Sequence, residues 1–339
     1  MLNIHVLIKF LIGCCLVPIS SLVIAECSSL AEGLVGQYPT YKQGVVEKEG
    51  RAIAWARVGP EKGVATLYAH GNPGSRLELL FFHDQAIESN RTVYLIERAG
   101  FGCSAFDDSY SLTMYAEDAV FVLESLGVKG TVDLVGWSSG GPPTLALAYY
   151  YPEKIRRLIV ASSYTNFGEL PEATAIMSKH HRPGPILSSK APRLFHGMVG
   201  VVGWASQHLP NVYFKMTEHE VSLSDQGILE REGIRRIFML NQEQAFAQSS
   251  EGAVLDLEIQ WRAWPFSLRE VTSPVLLLYG TEDRFIPEEF MTHMQLEIPN
   301  GILMMRKSEG HLFPLKSEYQ SSMFHWLTTM DLKGVFLTK

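Results

Sequence analysis

Short, nearly unbroken apolar runs recur along this chain, each bounded by glycine or polar residues. They are Val64 to Ala69, Thr92 to Ile96, Val132 to Val135, Leu158 to Ala161, Val275 to Tyr279 and Ile302 to Met305. Runs of four to six residues without polar alternation read as strands buried on both faces of a parallel sheet. Two earlier segments, Gln43 to Lys48 and Ala52 to Val58, meet across Glu49-Gly50 and predict an antiparallel hairpin. Helix-like stretches fall between the runs: Leu77 to Ser89, Met114 to Leu126, Thr144 to Tyr151 and Glu288 to Leu296. Strand and helix alternate, so the expected fold class is α/β, a mostly parallel central sheet with helices on both faces.

The alternation stops between Ser163 and Thr272. This stretch has no buried-strand pattern. It carries amphipathic segments at Ala173 to Lys179, Ala191 to Gln207, Gly227 to Ala247 and Ala253 to Trp264, cut by Pro171, Pro183, Pro185 and Pro210. An insertion of this kind between two core strands predicts a helical cap over residues 164–271, with the core formed by residues 26–163 and 272–339. No linker composition marks a second independent domain.

The first 25 residues differ in character. Lys9 is their only charge, and Phe10 to Ala25 carries none. Val23-Ile24-Ala25 fits the small-residue pattern of an export signal cleaved near Ala25. The alternative is an uncleaved anchor, because 16 apolar residues nearly span a bilayer if the flanks help. Either reading places the catalytic part outside the cytosol, periplasmic, secreted or membrane-anchored, with residues 10–25 as the possible membrane attachment. Cys14 and Cys15 lie inside this segment, which leaves Cys27 and Cys103 either as a disulfide or as two thiols.

A formal charge of −7 and scattered lysines and arginines give no footprint for nucleic acid. No cysteine and histidine cluster at metal-ligand spacing and no dinucleotide fingerprint occurs, so no metal or organic cofactor is expected. The chemistry instead centres on Gly136-Trp137-Ser138-Ser139-Gly140. The motif follows an apolar strand directly and precedes a helix-like run. A turn that tight strains its central residue and exposes the serine hydroxyl, and glycines on either side remove the clashes.

Serine needs a base, and the base needs an orienting acid. Of 11 histidines, His311 alone follows a late strand by one short loop, at the carboxyl edge of the sheet where open α/β proteins place their sites. Asp283 leaves the strand Val275 to Tyr279 in the same direction, with its neighbour Glu282 as the alternative acid. Two backbone N–H groups must hold the oxyanion. Ser139 offers one. The loop His70-Gly71-Asn72-Pro73-Gly74-Ser75 offers the other at Asn72, because Pro73 has no N–H. His70 is read as stiffening that loop and, with Trp137, as a possible neighbour of the substrate.

Taken together, His70 to Arg76, Glu97 to Ser104 with its Gly-x-Gly-x-Ser turn, the serine motif, Gly280-Thr281-Glu282-Asp283 and Gly310-His311 resemble the α/β-hydrolase superfamily. The resemblance covers about Gln43 to Leu327 apart from the cap. It implies a capped α/β-hydrolase fold and a serine hydrolase that cleaves a carboxylic ester or related acyl bond of a small molecule through an acyl-enzyme at Ser138. Two departures stand out. Glu97 replaces the usual Asp, which implies a structural role, and Cys103 replaces a larger residue beside the site.

Relatives that open epoxides resemble the His-Gly-Asn-Pro loop but carry Asp in place of Ser138, which argues against that activity. A haloperoxidase-like reading needs the same three residues and stays open. So does an aminopeptidase of the proline-iminopeptidase type, which would need cap carboxylates such as Glu218, Glu220, Glu230 or Glu232. A non-catalytic binding protein on the same fold would usually lack a member of the triad. Trp204, Phe214, Phe238, Phe246, Trp261 and Trp264 are candidates for an acyl pocket, against plain cap packing. The oligomeric state has no sequence signature.

Overall fold

The computed structural model describes residue 33 and residues 36–332. The N-terminal apolar segment, with its readings as signal or anchor, and Cys27 lie outside the described residues. Eight strands form one sheet: β1 (Lys42–Lys48), β2 (Arg51–Val58), β3 (Val64–Ala69), β4 (Arg91–Ile96), β5 (Val132–Trp137), β6 (Ile155–Ala161), β7 (Val275–Gly280) and β8 (Gly301–Arg306). Their spatial order is β1-β2-β4-β3-β5-β6-β7-β8. β1 pairs antiparallel with β2, and β2 with β4, while every later pair is parallel. The expected hairpin closes through Glu49 and Gly50, both at positive φ. That is the geometry a two-residue turn needs to follow the strand twist.

Successive strand residues face opposite sides, and both sides are buried. Leu134 packs with Leu67, Val160 and Leu277 beneath helices α2 (Leu112–Ser125) and α3 (Gly141–Tyr150). Its neighbour Val135 packs with Tyr68, Ile159 and Leu278, on the side of α1 (His83–Glu88) and the C-terminal helix. Each such side chain contributes roughly 1.5–3 kcal/mol on burial. This two-sided burial is why the strands read as apolar runs rather than alternating ones.

Between β6 and β7 the chain is helical, as expected, but in more pieces. These are α4 (Ala173–Ile176), α5 (Pro183–Lys190), α6 (Pro192–His208), α7 (Pro210–Glu220), α8 (Leu223–Leu229), α9 (Glu232–Ala245) and α10 (Glu251–Gln260). Pro183 and Pro210, expected to cut helices, instead begin them, as Pro192 also does. Proline is suited to the first turn because its missing N–H has no intrahelical partner there. The core then resumes with α11 (Glu288–Glu297) and α12 (Ser317–Thr329).

Candidate active site

Four loops meet where the parallel strands end. The loop after β3 carries Gly71 and Asn72, the turn after β5 carries Ser138, and the loops after β7 and β8 carry Asp283 and His311. Neighbouring strands bring together residues that lie up to 240 positions apart in sequence.

Ser138 has φ of +55°, a left-handed conformation that is strained for any residue but glycine. The turn can be that sharp because a Cβ at Gly140 would collide with the Ala69 carbonyl oxygen. Trp137 donates its indole N–H to the carbonyl oxygen of His311 at 3.0 Å, tying the serine turn to the histidine loop. The rings of Trp137 and His311 lie 5.5 Å apart.

His311 Nδ1 sits 2.8 Å from Asp283 Oδ2, while Asp283 Oδ1 accepts the backbone N–H groups of Phe285 and Ile286. Those bonds aim the carboxylate at the imidazole. Glu282, the alternative acid, points to solvent. Burial alone would lower the His311 pKa. The Asp283 charge and hydrogen bond, with a further contribution from Asp225, outweigh it and raise the pKa above its ordinary value.

On the other side of the serine, Asn72 and Ser139 both line the cavity. The Asn72 side chain donates to the Ala253 carbonyl at 3.0 Å and to Asp256 at 2.8 Å. His70 corrects one expectation. It is wholly buried and does not line the cavity, so it holds the loop rather than meeting substrate. Its Nε2 accepts the Arg98 backbone N–H, which puts the ring proton on Nδ1, donated to the Gly71 carbonyl at 2.8 Å. Burial and then the Arg98 charge push its pKa well down, so the ring is neutral.

Glu97 takes the structural part. It pairs with Arg76 and accepts the Cys103 backbone N–H. Cys103 corrects a second expectation, since it packs on Ala54 and Val45 away from the cavity and is disulfide-bonded.

The cavity above these loops has a volume of about 790 Å³. Of the six cap aromatics singled out from the sequence, Phe238, Phe246 and Trp261 line it, whereas Phe214 and Trp264 are packed elsewhere and Trp204 faces solvent. Of the four cap carboxylates only Glu220 reaches it. Among the described residues, no cluster of three or more His, Cys, Asp or Glu is arranged to hold a metal ion.

A profile of the alpha/beta hydrolase fold family matches residues 67–317. The chain belongs to the α/β-hydrolase family. As an α/β hydrolase it is 26% identical over 283 residues to the bifunctional esterase/perhydrolase DCH of Acinetobacter calcoaceticus, covering 80% of this chain and 93% of that one. It is 28% identical over 209 residues to the uncharacterized hydrolase YugF of Bacillus subtilis, covering 60% and 67% of the two chains. A thermophilic esterase from Thermogutta terrifontis superposes with a TM-score of 0.61 at 19% identity, over 85% of this chain and 98% of its own. That likeness concerns the fold. With esterases and hydrolases as its relatives, the chain is a hydrolase of the α/β fold.

Several residues that shape this α/β-hydrolase site have no motif around them, and three come from the cap. Asp225 on α8 accepts the backbone N–H groups of His311 and Leu312, both at 2.8 Å, and so fixes the histidine loop. A Cβ at Gly310 would strike the Asp225 carboxylate and Ser222, so only glycine lets the loop approach. Asp256 on α10 pairs with fully buried Arg98, whose guanidinium also donates to the carbonyls of His70 and Gly71. Asn241 on α9 accepts the Ser75 N–H and hydroxyl and donates to Glu78.

Glu78, behind the loop, receives the Gly71 N–H and the Tyr68 hydroxyl. Burial pushes its pKa up to about 7, against the opposing pull of those hydrogen bonds and of Arg98. The His181 ring lies 4.9 Å from Phe285, which in turn lies 5.0 Å from His311.

Proposed function

We propose that this hydrolase cleaves a carboxylic ester, or a closely related acyl bond, through an acyl-enzyme at Ser138. The observation that carries the reading is the Asp283–His311 hydrogen bond at 2.8 Å, with His311 and the strained Ser138 lining one cavity. In this reading His311 Nε2 takes the Ser138 proton as Oγ attacks the substrate carbonyl. The backbone N–H groups of Asn72 and Ser139 hold the oxyanion, and Asp283 stabilises the imidazolium. The tetrahedral intermediate collapses as His311 returns the proton to the leaving alcohol. Water then attacks the acyl-enzyme by the same route and frees the acid. The aromatic lining of Phe238, Phe246 and Trp261 supports an apolar acyl group.

A second reading, in which hydrogen peroxide replaces water as the acceptor, is favoured by the likeness to the esterase/perhydrolase. It uses the same acyl-enzyme. An export route, or anchoring by residues 10–25, is supported by the disulfide at Cys103, since such bonds persist outside reducing compartments.

Fluorophosphonate labelling followed by peptide mapping tests the mechanism. The label is expected on Ser138, and Ser138→Ala is expected to lose it together with about 10⁵- to 10⁶-fold of kcat while remaining folded. Labelling retained by Ser138→Ala would overturn the reading. Faster turnover of aminoacyl amides than of p-nitrophenyl esters would replace the esterase with an aminopeptidase, held by Glu220.

A further inference from the structure

Two cap helices leave apolar side chains exposed where a soluble surface would be polar. α6 leaves Leu194, Met198, Val201, Val202 and Trp204 exposed, and α7 adds Val212 and Met216, with Val201 at 67% and Met216 at 60% exposure. On α6 the residues recur at helical spacing, and α7 follows α6 after one residue, so the two helices are in contact. Exposed apolar patches of this kind mark interaction sites. Met198, Val201, Val202 and Met216 line the cavity over Ser138 as well, so the cavity opens through this face.

Charge says what the face meets. From Ala173 to Thr217 there is no Asp or Glu, while Lys179, Arg182, Lys190, Arg193 and Lys215 are all present and exposed. This stretch is basic in a chain whose net charge is −7. Glu258 of α10 lies 3.7 Å from His196, and α7 itself ends in Glu218 and Glu220, beyond the basic stretch. A second copy of the chain would set five basic groups against five. The chain's own apolar segment, Phe10 to Ala25, carries no charge to match them. A surface that is apolar at its centre and negative at its rim satisfies both features, and a bilayer containing anionic phospholipid is such a surface.

We infer that the α5–α7 face of the cap docks on an anionic lipid bilayer, with the cavity mouth against the membrane. Exposed apolar side chains enter the headgroup and acyl boundary, and the basic residues engage lipid phosphates. An acyl substrate then passes from the bilayer to Ser138 without crossing water. That last step rests on the acyl chemistry proposed above, whereas docking does not.

The test uses the full chain and co-sedimentation with vesicles of phosphatidylcholine alone or mixed with phosphatidylglycerol. Binding is expected to be at least tenfold stronger with phosphatidylglycerol. Trp204→Glu/Val212→Glu is expected to lose at least tenfold of it while hydrolysing a short soluble ester like the parent, because neither residue lines the cavity. Lys190→Glu/Arg193→Glu is expected to lose the phosphatidylglycerol preference, providing a variant that leaves the apolar face intact. Brominated lipid is expected to quench tryptophan emission in the parent by more than it does in Trp204→Phe.

Undiminished binding by both double variants would overturn docking and place membrane affinity elsewhere, as in residues 10–25. So would a failure to bind vesicles combined with a dimer that Trp204→Glu/Val212→Glu dissolves, which would make the face a self-association surface. Loss of short-ester turnover in the parent with binding intact would defeat the acyl reading and leave docking standing.

Discussion

The loops beneath the cavity grow from strands such as β5 and β7, in which every residue is buried, whereas the helices above it keep many apolar side chains in solvent. The two regions share buried apolar clusters but differ in how they position the loops. The sheet is fixed by non-directional burial on both faces, and its loops inherit positions from strand register. The cap packs apolar residues such as Phe214, Ile228 and Leu229 into the same cluster as Leu312 and Phe313, and adds directed polar contacts to two of the loops from Asp225, Asn241 and Asp256, each 1% exposed or less. Apolar burial tolerates small shifts, while a hydrogen bond or ion pair is lost over about an ångström. On this comparison the sheet sets which residues meet, and the cap sets how accurately two of the loops are held.

The contact that belongs wholly to the sheet should show the largest effect. Asp283→Asn keeps the shape but removes the charge that orients His311, and a kcat loss of about 10⁴-fold is expected. The sign of the pH effect follows from the base being neutral imidazole. In the proposed mechanism activity is expected to rise as pH passes the His311 pKa, which Asp283 holds above the ordinary value of 6.5. The acid limb of kcat/KM should therefore move to lower pH in Asp283→Asn. A pH–rate profile that matches the parent in height and position would remove Asp283 from the role and return it to Glu282.

Next in size is the link from the cap to the loop after β3. Asp256→Ala would strand the Arg98 guanidinium, which is fully buried, and remove one hydrogen-bond partner each from Asn72 and Gln260 at the same time. Leaving one member of a buried pair uncompensated costs about 3–5 kcal/mol, to be read as a shift in the urea midpoint at constant m-value. A cost under about 1 kcal/mol would mean that the cap merely rests on the core. That outcome would break the comparison.

The same contrast explains how much of the molecule was legible in the sequence. Strands buried on two faces, such as β4, β5 and β7, have no alternation to confuse, and the edge strands β1 and β8 are marked by the turns that bound them, so all eight are readable to within about three residues. Ser138, Asp283 and His311 could be singled out because each follows a strand at a fixed edge, a relation that local sequence carries. Asp225, Asn241 and Asp256 carry no such mark, since each is one polar residue on a helix that meets a loop 86 to 184 positions away. The sequence does not mark α5 and α7 because each begins at a proline, Pro183 and Pro210, that reads as a break between helices. His70 was placed near substrate because sequence locates its loop and cannot say which way a ring on that loop turns.

Asp225 gives the smallest and most discriminating prediction, because both its carboxylate oxygens accept backbone N–H groups of the histidine loop. Removing it in Asp225→Ala leaves the N–H groups of His311 and Leu312 without an acceptor, at about 1–3 kcal/mol for each group left unpaired and out of water. The histidine loop then loosens against Ser138. The expected result is a 10- to 100-fold fall in kcat with KM nearly unchanged, since the residue does not line the cavity. Asp225 also helps to raise the His311 pKa, so the acid limb should move down, although less than in Asp283→Asn. Asp225→Asn keeps one acceptor oxygen and loses the charge, so it should recover part of kcat while leaving the acid limb displaced. A merely structural role would lower stability without moving that limb. An unmoved limb in both variants would show that the cap steadies the loop but does not tune its histidine.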